Sequence, residues 1–209
     1  MTAHRHDRDV ARFGRWAASY DESALQRLVF APLQEFTLQQ AALALPDPRA
    51  VLDIGCGTGQ LLRQAAGRFP AAELSGVDAA EEMISVARSS LPDGEAVRFV
   101  HAAAEELPFD DGSFDLVVTT MSFHHWADQP QALREVRRVL VSGGVFALAD
   151  AVPVGWLRWL FARSGHGSFN KPAALVAMLR TADLPMDRHV AVPRFGGTVQ
   201  VVLSRAGGR

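Results

Sequence analysis

The sequence predicts an α/β fold, a mostly parallel sheet with helices on both faces. Three observations carry this. The apolar stretch Val51–Ile54 runs into a turn holding Gly55, Gly57 and Gly59, and a helical pattern follows at Leu61, Leu62, Ala65, Ala66 and Phe69. Strand-like and helix-like stretches then alternate to about residue 149. Two short runs rich in β-branched residues, Val190–Val192 and Val199–Leu203, close the pattern.

Taken in order, residues 8–18 and 23–45 read as helices, with Pro32 splitting or kinking the second. Pro46 and Pro48 mark the entry to a strand over 50–54, and the glycine turn leads to a helix ending at Pro70. A strand over 73–77 precedes a helix over about 80–90. Strand 97–101 is followed by a loop through Pro108, Asp110 and Gly112, then by strand 114–120. A helix over about 129–140 meets Gly143-Gly144, which turn the chain into strand 145–149. Pro193 ends the first C-terminal strand because it cannot donate to a ladder, and Arg194–Gly197 reverse the chain. Trp156, Leu157, Trp159, Leu160 and Phe161 form an apolar cluster that packs a helix or roofs a ligand pocket.

With 209 residues, 48% of them hydrophobic, the chain fits one domain with a full core. A formal charge of −2 offers no general attraction for nucleic acid or an anionic membrane. Arg5, Arg8, Arg12 and Arg15 make a local basic face, either solvated or used in docking an acceptor. The one cysteine, Cys56, cannot form an intramolecular disulfide, which fits a reducing cytoplasm. The polar N-terminal segment lacks the apolar core of a signal peptide, and no run is long enough to span a bilayer. A cytoplasmic protein without membrane insertion is expected.

The glycine loop is built for a ligand, since bare backbone and a positive helix end face whatever lies beside it. Dinucleotide loops read G-x-G-x-x-G, but here position 60 is Gln and Asp53 stands before the first glycine. An acid there suits a cationic amino group better than a pyrophosphate. Asp78 ends the run Leu74–Val77, close to the roughly 20-residue interval at which an acid accepts ribose hydroxyls. The pocket therefore wants an amino group near Asp53 and a ribose near Asp78.

These residues resemble the class I S-adenosylmethionine (SAM)-dependent methyltransferases. The likeness is to the small-molecule group with a type 11 methyltransferase domain that includes the ubiquinone/menaquinone biosynthesis methyltransferases. It runs from about Phe13 to about Ala151 and rests on five stretches in order: Tyr20-Asp21, the glycine loop, Gly76-Val-Asp78, Leu107-Pro-Phe109 with Phe114-Asp115, and Arg138-Val-Leu140 before Gly143-Gly144. It implies a Rossmann-like, mostly parallel seven-stranded sheet with one antiparallel strand near the C-terminus. It also implies a division of the chain into an N-terminal helical cap (1–48), a SAM-binding core (49–150), an acceptor lid (151–188) and a C-terminal hairpin (189–209).

The resemblance assigns roles residue by residue. Asp53 would face the methionine amino group, and Gly55, Cys56, Gly57 and Gly59 would bring backbone to the methionine carboxylate and the adenosine. Cys56 would serve there as a small residue rather than a nucleophile. Asp78, with Ala79 beside it, would accept the ribose hydroxyls, and Met83 would lie against adenine or in the helix core. Many members carry an acid where this chain has Ala103. Ala103 and Ala104 would then reach adenine mainly by backbone, with Glu105 as a stand-in acceptor. Thr119 would pass the methionine part by backbone, and Tyr20 would close over the sulfonium.

Methyl transfer from a sulfonium needs alignment first and, for a hydroxyl acceptor, a base. His124 and His125 follow the fourth strand, and Asp150 ends the neighbouring one. Asp150 could fix the tautomer of His124 and raise its basicity. Either histidine could instead only shape the loop. His101, His166 and His189 are scattered, so no metal site is expected.

The expected activity is SAM-dependent methyl transfer to a small acceptor, with a hydroxyl oxygen as target. Carbon methylation in quinone-type biosynthesis and a silent SAM-binding protein are the alternatives. Thr119-Thr-Met-Ser argues against methylation of amino groups on nucleic-acid bases, because those enzymes place Asn or Asp before Pro-Pro and an aromatic there.

Overall fold

The computed structural model describes residues 10–11, 26–91, 96–151, 172–195 and 198–208. Seven strands form one sheet in the order β3-β2-β1-β4-β5-β7-β6. They are β1 (Ala50–Ile54), β2 (Glu73–Asp78), β3 (Val97–His101), β4 (Phe114–Thr120), β5 (Leu140–Ala151), β6 (Met186–Ala191) and β7 (Val199–Arg205). β1 to β5 pair in parallel, and β7 lies antiparallel between β5 and β6. This is the Rossmann-like methyltransferase sheet, with its single reversed strand near the C-terminus.

Among the described residues, five longer helices flank it: α1 (Ala31–Ala44), α2 (Gln60–Arg68), α3 (Glu81–Ser89), α4 (Gln129–Val139) and α5 (Pro172–Thr181). Successive strand residues point to opposite faces. Val51, Leu116, Val118, Ala147 and Val201 therefore pack with Leu33, Leu38, Leu61 and Ile84 on one side. Leu52, Ile54, Val117, Phe146 and Leu148 pack with Leu133, Val136, Leu175 and Leu179 on the other.

Several boundaries differ from the sequence reading. Gly143-Gly144 do not form a turn before a strand; they lie inside β5, which starts at Leu140. The pairing with β4 jumps from Phe114↔Leu140 to Leu116↔Val145, and Gly143 takes φ +77°, so the glycines form a bulge. β6 starts at Met186, four residues before the predicted run, and its residues are mostly exposed. An edge strand in water has no apolar alternation to read. α5 lay unread inside 151–188, although Leu175 and Leu179 bury one of its faces. At Pro32 a π-helical stretch, Gln26–Phe30, gives way to α1. Tyr20, the arginine-rich start, the Trp156–Phe161 cluster and the Gly196-Gly197 turn lie outside the described residues. Among the described residues, no helix is long and apolar enough to cross a membrane.

One ion cluster fixes the loop between β3 and β4. Arg138 donates to the carbonyls of Phe109 at 2.7 Å and Leu107 at 2.9 Å, and it pairs with Glu135 and Asp111. Glu135 in turn accepts from Leu107 N at 2.8 Å, and hydrogen bonding to Arg138 holds its carboxyl below the usual range. The Arg138→Ala variant is expected to lose about 2 kcal/mol of stability in urea unfolding, because two carbonyls lose a charged donor. An unchanged midpoint would mean that the loop holds itself.

Candidate active site

The strand order reverses between β1 and β4, and the crevice outside their carboxyl ends is where open α/β sheets bind ligands. Asp53 lies there, 1% exposed, and its Oδ1 has no hydrogen-bond partner among the described residues. Burial, reinforced by the nearby Asp78 charge, pushes its carboxyl up to about 8. A cationic group beside Oδ1 would restore the charge.

Gly55, Gly57 and Gly59 adopt φ of +75°, +53° and +81°. Gly55 N and Cys56 N donate to Val77 O, which ties the loop to β2. A methyl at Gly59 would come within 2.5 Å of the Phe99 ring, whereas one at Gly57 would meet nothing within 4 Å among the described residues. Gly59 is thus required by packing, and Gly57 leaves space beside its backbone among those residues. Cys56 is buried, with Sγ pressed over Gly76. Burial and the two acids push its thiol up, so it is an inert core group.

Asp78 holds the other side of the loop. Its Oδ2 accepts from Gly57 N at 2.9 Å, and its Oδ1 accepts from Ala80 N at 2.8 Å, next to Ala79. Burial raises its pKa, while these amides and the charge of His101 lower it. His101 pairs with Asp78 in the ladder, and its Nε2 lies 3.0 Å from Ala79 O. The sequence reading passed over His101 as scattered. Its position one strand over and level with Asp78 was the available signal.

Met83 is buried against Ala80, with Val10 and Val86 packed beside it. Ala104 is buried, and Ala103 O accepts from Glu106 N. Glu105 turns toward α4: its Oε1 accepts from Asp128 N at 2.9 Å, and its carbonyl accepts from Gln131 Nε2. Thr119 is fully buried, and its hydroxyl donates to Ile54 O at 2.8 Å, locking β4 to β1 at the crevice.

At the end of β4 the chain turns sharply at Met121, whose φ is +53°. A short 3₁₀ turn, Phe123–His125, follows. His124 Nδ1 lies 2.7 Å from Asp150 Oδ1, and His124 N donates to Asp150 Oδ2 at 3.0 Å. Both side chains are almost wholly buried, and the His125 ring lies tilted by 44° against that of His124, with the centroids 4.0 Å apart. The structure thus brings His124, His125 and Asp150 together at the sheet edge that also carries Asp53 and the glycine loop. Among the described residues, no group of three His, Cys, Asp or Glu side chains gathers as for a metal.

Comparison with known proteins bears on the family and the fold. A family described as a methyltransferase domain matches residues 52–148. A malonyl-[acyl-carrier protein] O-methyltransferase of Geobacter sulfurreducens is 34% identical over 202 residues, 94% of this chain and 68% of that protein. A demethylmenaquinone methyltransferase of Thermus thermophilus is 40% identical over 107 residues, 51% of this chain and 49% of that protein. The chain therefore spans about two thirds of the first relative and half of the second. A chain of the solved Haloferax volcanii complex between the Trm112 methyltransferase activator and a methyltransferase superposes with a TM-score of 0.76 at 21% identity, covering 93% of this chain and 97% of that one. The sheet, the glycine loop and these relatives together make the chain a member of the class I S-adenosylmethionine-dependent methyltransferases.

Proposed function

We propose that this protein transfers a methyl group to a hydroxyl oxygen of a small, mostly apolar acceptor, with His124 as the general base. The residues present fit SAM. Among the described residues, Asp53 offers a buried carboxylate oxygen without a partner, and Gly57 offers backbone with space beside it. When bound, SAM would supply the methyl group from its sulfonium and leave as the neutral thioether S-adenosylhomocysteine.

The chain's own groups do the rest. Asp53 receives the amino group. Gly55, Cys56, Gly57 and Gly59 bring backbone to the carboxylate end, and Thr119 closes that side. Asp78, with Ala79, accepts the ribose hydroxyls through lone pairs left over from its two amide bonds. Ala103 and Ala104 present backbone to the adenine, and Met83 backs it. Glu105 contributes by holding this loop to α4, since its carboxylate serves Asp128 N. Tyr20 is assigned the cover over the sulfonium.

Asp150 accepts the Nδ1 proton of His124, which makes Nε2 the basic nitrogen. His124 Nε2 would take the proton of the acceptor hydroxyl, and Asp150 would stabilise the resulting imidazolium. His125, its ring tilted against that of His124, shapes this loop and is the second candidate base.

The observation that carries this reading is the buried His124–Asp150 pair beside the glycine loop. Incubation with labelled SAM and a panel of phenols and alcohols should yield methoxy products by NMR. The relative named for demethylmenaquinone favours a second reading, carbon methylation of a quinone precursor, and a C-methyl signal in the same experiment would select it. Tight SAM binding without any product would select a silent binder.

The Asp78→Ala variant is expected to bind S-adenosylhomocysteine about thirtyfold more weakly by calorimetry, a loss of about 2 kcal/mol. Unchanged affinity would move the ribose elsewhere.

A further inference from the structure

We propose that Ser122 is a positioning residue that sets the height of the His124 turn by filling the space against Gly55, so that the cofactor loop and the base form one mechanical unit. The proposal rests on the reading of His124 as the base. Ser122 stands between the two loops. A methyl added at Gly55 would overlap Ser122 Oγ and lie 2.5 Å from its Cβ. No side chain fits at position 55 while Ser122 holds its place.

Ser122 is itself fixed from several sides. Its Oγ accepts from Trp126 Nε1 at 3.1 Å, and its carbonyl accepts from His125 N at 2.8 Å. The residue before it, Met121, takes a left-handed backbone conformation unusual for methionine, and its N–H donates to Ala149 O at 2.8 Å. Gln129 Nε2 holds Phe123 O at 2.9 Å, and the Phe123 and Trp126 rings meet edge to face at 4.9 Å.

A non-glycine residue keeps positive φ only where its surroundings over-determine it, and such strain gathers at functional turns. Here the over-determined turn delivers His124 N and Nδ1 to the two oxygens of Asp150. Residue 122 acts through contact volume: too much at the Gly55 interface lifts the turn, and too little lets it drop. In either case the imidazole leaves Asp150 Oδ1.

The test compares three variants without cofactor, reading the His124 tautomer by long-range ¹⁵N–¹H NMR. The native protein should show a single Nδ1–H tautomer. Ser122→Gly empties the space and Gly55→Ala overfills it, so each should lose that fixed signal to an averaged one. Gly55→Ala combined with Ser122→Gly relieves the overlap but not the strain of an alanine at φ +75°, so the signal should return only in part. If Gly55→Ala does not fold, Ser122→Gly decides alone, because it removes atoms without adding any. Retention of the native tautomer in Ser122→Gly overturns the proposal, as does its retention in Gly55→Ala. Because this readout needs no turnover, it stands apart from failure of the base assignment, which shows only in the kinetics of His124 variants.

Discussion

His124→Gln is expected to lower kcat on a hydroxyl acceptor by roughly a hundredfold to ten-thousandfold, the range over which a positioned base contributes. Affinity for S-adenosylhomocysteine should stay within about twofold, because alignment and proton removal are separate tasks here. Glutamine retains an N–H that can reach Asp150, so the turn keeps its anchor while the basic nitrogen is lost. Asp150→Asn should cost a comparable factor for a different reason. It no longer dictates which imidazole nitrogen carries the proton, and it no longer balances the imidazolium. Asp150 also receives His124 N and Ala151 N, so the melting temperature of this variant must be measured alongside its rate. His125→Gln should have the smaller effect. Full turnover by His124→Gln on an acceptor that the native protein methylates at oxygen would end the base assignment.

Cofactor affinity is expected to fall about tenfold per pH unit below the Asp53 transition, since only the ionised form suits an ammonium. The sign follows from the group. Asp53 is pushed up to about 8 in the cofactor-free protein, so at pH 6 nearly all of it carries a proton that must leave on binding. Apparent affinity for S-adenosylhomocysteine should thus be about a hundredfold weaker at pH 6 than the limiting value. The proton released should appear as a dependence of the calorimetric heat on the ionisation enthalpy of the buffer. The groups facing Asp53 are Asp78 and the Cys56 thiol, and His101 acts on Asp78. Asp53→Asn isolates the contribution: its affinity should be lower and flat over pH 6 to 7.5. A slope that survives in this variant would place the titrating group outside Asp53. The same shift acts on stability. An acid held above its unfolded value of 3.8 favours the folded state at low pH, and that contribution is lost as pH rises through about 8.

The parts of this molecule legible in its sequence are those where local chemistry repeats. The strands β1, β2 and β4 declared themselves because they are buried on both faces and bounded by glycine, proline or acid, whereas β3, at the sheet edge, buries only Phe99. The Asp53, Asp78 and glycine-loop cluster was legible because close backbone approach demands glycine, and paired acids at that interval are rare without a ligand. Other features depended on partners far along the chain. Glu105 also accepts from Asp128 N ahead of α4, a contact 23 residues along the chain that no local pattern announces. The bulge at Gly143-Gly144 looked like a turn, because both require the same backbone freedom. His101 and Ser122 carry no motif, and their places follow only from strand register and from the bend at Met121.

The reversed strand has a consequence for biogenesis. β7 slots between β5 and β6, so a strand synthesised after both of them completes the middle of that half-sheet rather than its border. Until Val199–Arg205 has left the ribosome, the inner strand bearing Phe146 and Leu148 has an unclaimed row of amides and carbonyls. A nascent chain stalled short of that point is a template for pairing with its neighbours, and a premature stop there should yield inclusion bodies rather than a shortened enzyme.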